Sequence, residues 1–184
     1  MKKLCLFIVF VMIALIIIGN KTKISLEMVS SEVKIGKYGD SAEAFVDEKG
    51  ITHLYKPIVL YYKVALKNAG SDIGKNIKKD LQMKIIPNDD LIQASEEVLG
   101  FNVFIETNGY RGGEGRNSIS YIKENEVGDF DLFYSVGFDE DTPSKYTKAP
   151  SKQKLALLQE KMTDAVAVIT DNNERNLVSF TLSK

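Results

Sequence analysis

The sequence predicts a mainly β domain, built as two sheets packed face to face with one short helix, standing behind a single apolar N-terminal run. Three observations predict it. Apolar and polar residues alternate with period two in segment after segment, turn-forming residues separate those segments, and one stretch, Lys152–Met162, breaks the pattern with apolar residues at helical spacing. Successive side chains of a strand point to opposite faces, so each alternating segment has one face to bury and one to leave wet. Several such segments bury those faces most economically against each other.

The first element is the apolar run Leu4–Gly19, LCLFIVFVMIALIIIG, directly behind Lys2 and Lys3. A positive start followed by an uncharged apolar run is an export signal, either cleaved or kept as an anchor. As a helix the run covers roughly 24 Å, a little short of the ~30 Å hydrocarbon core and slightly long for a signal-peptide core of about 7–15 residues. The cleavage chemistry favours retention. A signal peptidase takes small residues one and three positions before the cut; Gly19 supplies one, but Ile17 fills the other place. The expectation is a transmembrane signal-anchor over residues 1–22, with Asn20, Lys21 and Lys23 reaching the interface, the N-terminus inside and residues 23–184 as one extracytoplasmic domain of the cell envelope. Secretion after cleavage is the alternative. Cys5, the one cysteine, stands at the start of the run. A lipidated cysteine would stand at its end, so Cys5 reads as a small apolar residue of the membrane helix. The outer part then has no disulfide and relies on its core, which about 160 residues can supply.

The later elements follow in order. Ile24, Leu26 and Met28 alternate with Ser25, Glu27 and Val29, and a short strand is expected at Ile51–Tyr55. Leu60, Tyr62, Val64 and Leu66 form one face of a long strand that ends at the turn Asn68-Ala69-Gly70-Ser71. Ile77, Leu81, Met83 and Ile85 alternate with polar residues until Pro87. A strand carrying Leu99, Phe101, Val103 and Ile105 is expected next, up to Asn108-Gly109, then one at Ile119–Ile122. Phe130, Leu132, Tyr134, Val136 and Phe138 share a face, with Asp129 and Asp131 on the wet side. Ser151 is the expected N-cap of the helix, which carries Leu155, Leu158 and Met162 on one side. Ala165–Thr170 and Leu177–Leu182 close the chain as a pair joined by Asp171-Asn172-Asn173-Glu174. An α+β domain, with the helix packed on a single sheet, is the alternative architecture.

The segment YYKVALKNAGSDIGKNIKKDLQMKIIP resembles a pattern found in immunoglobulin-like β-sandwich domains of bacterial exported and cell-envelope proteins. Val64, Leu66, Asn68, Gly70, Ile77 and Leu81 carry it: an alternating strand, an Asn-x-Gly turn, a polar stretch and a second alternating strand. Those families often place Pro-Gly-Glu before a late strand; here Val127-Gly128-Asp129 precedes Phe130, so the proline is lost. The likeness spans roughly Val59 to Phe138. It implies an immunoglobulin-like sandwich and adhesion, scaffolding or ligand display as a class, and it carries over no catalytic residue.

Composition narrows the chemistry. The chain has 24 basic and 25 acidic residues, and without Lys2 and Lys3 the balance is 22 against 25. No basic face for nucleic acid is implied, nor any cofactor. His53 is the only histidine, so a Cys/His zinc site is untenable outside the leader. A small exported hydrolase built on His53 is the enzymatic alternative, although no G-x-S-x-G elbow accompanies it. The stretch Asn108–Ser118, NGYRGGEGRNS, has glycines enough to bind an anion, but it lacks the lysine and following helix of a phosphate loop. It reads instead as a loop displaying Tyr110, Arg111 and Arg116 to a partner. Asp139, Glu140 and Asp141 at a strand end are candidate ligands for a hard cation such as calcium, without an EF-hand loop around them. The expected function is that of a non-enzymatic binding or structural module. Its membrane contact is the N-terminal helix, and its partner is another envelope protein or a surface polymer. Service as an accessory subunit of a membrane complex is a further alternative.

Overall fold

Three antiparallel strands of twelve residues each frame the protein: β1 (Leu26–Lys37), β4 (Pro57–Asn68) and β8 (Val127–Phe138). A computed structural model describes residues 24–37, 43–46, 49–73, 80–105, 114–116, 118–119, 121–138, 148–171 and 174–182. The remaining elements are β2 (Glu43–Val46), β3 (Thr52–Tyr55), β5 (Leu81–Pro87), α1 (Asp89–Leu99), β6 (Glu114–Arg116), β7 (Ser118–Ile119), α2 (Lys152–Lys161), β9 (Ala165–Thr170) and β10 (Asn176–Thr181). They form two four-stranded antiparallel sheets, ordered β1-β4-β8-β6 and β10-β9-β5-β7, with β2 and β3 pairing as a separate hairpin. The described chain is mainly β, as the alternation predicts.

Burial follows the alternation. Leu60, Tyr62, Val64 and Leu66 of β4 and Phe130, Leu132, Tyr134 and Val136 of β8 turn the same way. They join Leu81, Met83 and Ile85 of β5 and Ala165, Ala167 and Ile169 of β9 in one buried cluster. Each Leu, Val, Ile, Met or Phe side chain among them contributes about 1.5–3 kcal/mol on burial. Tyr62 keeps its polar end satisfied by donating its hydroxyl to the carbonyl of Met162 at 3.0 Å. Burial, and then the neighbouring Tyr134, hold its pKa well above the ordinary tyrosine value, so it stays a donor. The opposite face of the first sheet is mixed, with Val59, Tyr61 and Ala65 buried on it beside polar side chains. Glu32, Lys63 and Asp131 form one cross-strand row, and Lys34, Tyr61 and Phe133 the next. Tyr61 donates to Asp131, Lys34 sits 5.1 Å above the Tyr61 ring, and Lys63 pairs with Asp129 at 3.3 Å.

Two expectations need correction. The fold has a second helix among the described residues, not one alone. Asn88 caps α1, its Oδ1 accepting from the Leu91 N–H at 2.9 Å, while Asp89 and Asp90 occupy the first turn. Gly100, at φ +80°, ends the helix in the left-handed conformation that costs glycine least. The expected strand Leu99–Ile105 is absent for a local reason. Leu99 ends α1, and side chains then satisfy the backbone in place of a partner strand. The Ser95 hydroxyl donates to the Phe101 carbonyl and accepts from the Val103 N–H, both at 3.0 Å, and Asn102 Oδ1 accepts from Phe104 N–H at 2.9 Å. The helix at Lys152–Lys161 is present with Ser151 at its N-cap. Residues 1–23, which take in the whole expected signal-anchor over 1–22, and Ile77 lie outside the described residues. No helix among the described residues is long and apolar enough to cross a membrane.

The end of the first sheet where β1 begins is closed by polar bonds. Asn68, fully buried, donates from Nδ2 to the carbonyls of Ser71 and Ile122 at 2.9 and 3.1 Å, and its Oδ1 accepts from Gly70 N–H at 3.0 Å. The Ala69 N–H donates to the Ser25 carbonyl. Alongside, Tyr121 donates to Asp72 at 2.6 Å, and Asp72 also accepts from Glu124 N–H at 2.9 Å. Asn68→Ala removes three bonds from a dry site and is expected to cost about 2 kcal/mol in chemical denaturation. The hydrogen bond to Asp72 raises the Tyr121 pKa from 10.0 to about 12. A raised tyrosine pKa means that the bond stabilises the fold fully below pH 10 and is lost as pH rises through about 12. Tyrosinate absorbance of wild type minus Tyr121→Phe should therefore show one phenol titrating near 12 rather than near 10.

Candidate functional site

The long strands give the protein two distinct ends. Leu26 opposes Asn68 and Lys67 opposes Val127 at the end where the described chain begins; Lys37 opposes Ile58 and Pro57 opposes Phe138 at the other. At about 3.3 Å per residue, β1 separates these ends by roughly 36 Å.

The β2–β3 hairpin stands at the far end, because only Lys56 separates β3 from β4. A lone two-stranded hairpin is marginal, so it needs an anchor. Aromatic rings supply one. The Tyr55 ring meets Phe138, the last residue of β8, edge-on with centroids 6.3 Å apart, and His53 stacks on Tyr55 at 6.2 Å and 21°. The single histidine is thus part of an aromatic chain tying the hairpin to the sheet. Val46 opposes Thr52, and Leu54 shares that face two residues on. Val46 is 57% exposed, Leu54 66%, and Ile51 in the turn 54%. Three large apolar side chains therefore face solvent on one small hairpin.

The two helices belong to the same end. They follow Pro87 and precede Ala165, which oppose each other across β5 and β9, and Asn88 N–H donates to the Asp164 carbonyl at 3.0 Å. At the opposite end of β5, Leu81 pairs with Ile119, whose side chain crowds Gly128 near the start of β8. Between the helices lies a groove of about 330 Å³, lined by Asp90, Gln93, Ala94, Glu97, Leu157, Glu160 and Lys161. Lys161 lies 3.0 Å from Asp90 and 3.6 Å from Asp164. Its hydrogen bond to Asp90, then the charges of both carboxylates, raise its pKa and keep it cationic. Glu97 accepts from Gln93 at 2.8 Å. With three carboxylates against one lysine the rim is negative, and Leu157, 56% exposed, adds apolar surface.

Tyr110 and Arg111 lie outside the described residues, but the residues that bound them converge. Phe104, next to Ile105, packs its ring 5.0 Å from that of Tyr134, and Glu114 opposes Tyr134 in the ladder. Arg116 is a β6 residue whose backbone pairs with Leu132. Asp139, Glu140 and Asp141 also lie outside the described residues. Phe138 precedes them, Lys148 bridges back to Phe138, and Ala149 N–H donates to the Phe138 carbonyl at 2.8 Å. Both stretches therefore begin and finish against the far half of β8. Asp129 and Asp131 occupy the wet sheet face beside Lys63 and Tyr61. Among the described residues no three His, Cys, Asp or Glu side chains converge as a metal site requires.

Sequence reasoning missed the hairpin face and the groove. The signal for the first was present: Ile51, His53 and Tyr55 on one side and Leu54 on the other leave no polar face in that strand beyond Thr52. The groove depends on α1, whose local marks were the caps Asn88 and Gly100, the acidic first turn, and Leu91, Ser95 and Val98 at helical spacing. No protein family, curated protein or solved structure matches this chain.

Proposed function

We propose that the protein is a non-enzymatic binding module of the cell envelope. It is held by an N-terminal membrane helix, and its extracytoplasmic part is an immunoglobulin-like β-sandwich. One observation carries this reading. The exposed apolar hairpin and the acidic helix groove stand at the end of the long strands opposite Leu26, the end at which the chain arrives from its leader. A strand about 36 Å long then acts as a stalk that holds the binding end away from the membrane. The two sheets sharing one apolar cluster support the sandwich.

The partner that suits this end is another envelope protein. Exposed Val46, Ile51, Leu54 and Leu157 gain most from burial against apolar side chains, and the carboxylates of the groove favour basic ones. Tyr110 and Arg111 belong to a stretch bounded at Tyr134, which supports their part in the same contact. Rigid scaffolds that display such residues from short connections are a common route to recognition.

Crosslinking and pull-down from intact cells tests the binding end. Val46→Asp and Leu54→Asp should each lower partner capture about tenfold, as loss of a central apolar contact does, with little change in melting temperature since both side chains are exposed. Undiminished capture by both variants counts against the hairpin. Topology has its own test. In a Cys5→Ser background, Leu54→Cys should react with a membrane-impermeant maleimide on intact cells. Reaction only after lysis reverses the proposed orientation.

A further inference from the structure

We infer that β10 is a self-pairing edge through which two copies of this chain form a weak, two-fold dimer, independent of the binding end. Strands at a sheet edge carry unpaired N–H and C=O groups, and proteins guard them with charges, proline, bulges or brevity. The edges here are guarded unequally. β1 carries Glu27, Glu32, Lys34 and Lys37 and a register shift between Met28 and Ser30. β6 has three residues, two of them charged, and β7 has two residues. β10, NLVSFT, is six residues long with no charge and no proline, the longest such edge among the described strands. Its one register shift falls at its start, between Asn176 and Val178, which leaves Val178–Thr181 in regular register with β9.

The side chains of β10 suit a second copy of the same strand. Val178 and Phe180 oppose Ile169 and Ala167, so they point toward the core, yet they are only half-buried. β8 lies against β5 and β7, so β1 and β10 fall on the same side of the two sheets. There Met28, Val33 and Ile35 of β1 are also only partly buried. An antiparallel pairing about a two-fold axis at Ser179 sets Val178 against Phe180 of the second copy, and Phe180 against its Val178. Leu177 meets Thr181, and no charge meets a charge. The apolar pairs then cover the half-open side of both cores. A symmetric contact of this kind closes on itself and builds no filament. Six residues of edge bury well under the ~1,000 Å² of a stable interface, so the dimer should be weak and reversible.

The test uses the full chain with Cys5→Ser. Ser179→Cys is exposed in the monomer and lies on the proposed axis, so mild oxidation should give a disulfide-linked dimer. Glu32→Cys, on the guarded β1 edge, should give none. Ser179→Lys sets like charges opposite each other; in sedimentation of the detergent-solubilised chain it should raise the dimer Kd at least about tenfold without shifting the melting temperature. No crosslink from Ser179→Cys, equal crosslinking from Glu32→Cys, or an unchanged Kd for Ser179→Lys each overturns the inference. A self-association carried by the leader helix would persist in Ser179→Lys and so be told apart.

Discussion

The fold depends on β4 being bonded along both of its edges for its whole length. β1 pairs with it from Ile58 to Asn68 and β8 from Pro57 to Lys67, so nearly every main-chain donor and acceptor of the strand is matched. Its register sorts the side chains. Leu60, Tyr62, Val64 and Leu66 enter the core, while Tyr61, Lys63 and Lys67 take the other face. A slip of one residue against both neighbours would carry Lys63 into the core and Tyr62 out of it. The wet-side contacts, Lys63 with Asp129 and Tyr61 with Asp131, agree with the same register. They are partly exposed and weak beside the burial of four large side chains, so the core sets the register and the opposite face follows it.

That division explains which elements can be read from the chain. β5 and β8 show period two because one face of each is dry, β4 shows it through Lys63 and Lys67, and β9 reads as a continuous apolar run because both its faces are largely buried. The stretch Leu99–Ile105 shows the same alternation without being a strand. Period two records which side chains share a face if the backbone is extended; it does not make the backbone extended. The hydroxyl of Ser95, four residues upstream and on a helix, decides that segment by taking the backbone bonds a ladder would need. Such a contact links residues eight apart through a helix cap and has no local signature. The candidate site is less legible still. Leu54 and Ile51 look like core residues from their type alone, and only the separate pairing of β2 with β3 leaves them exposed, outside both four-stranded sheets.

The two ends of the frame differ in the kind of bond that closes them, and that difference bears on function. At the Leu26 end the closing contacts are polar and already satisfied, although Ile24, Val29 and Val127 stand exposed there as well. Asn68 has three partners, and Asp72 accepts from both Tyr121 and Glu124. Separating those groups would cost about 1–3 kcal/mol for each one left unpaired in a buried site. At the far end the groups are apolar and wet. Covering Val46, Leu54 or Leu157 breaks nothing and returns about 25 cal/mol for each Å² removed from water. The buried polar closure at the Leu26 end holds shape, and the hairpin and groove at the far end support the proposed contact.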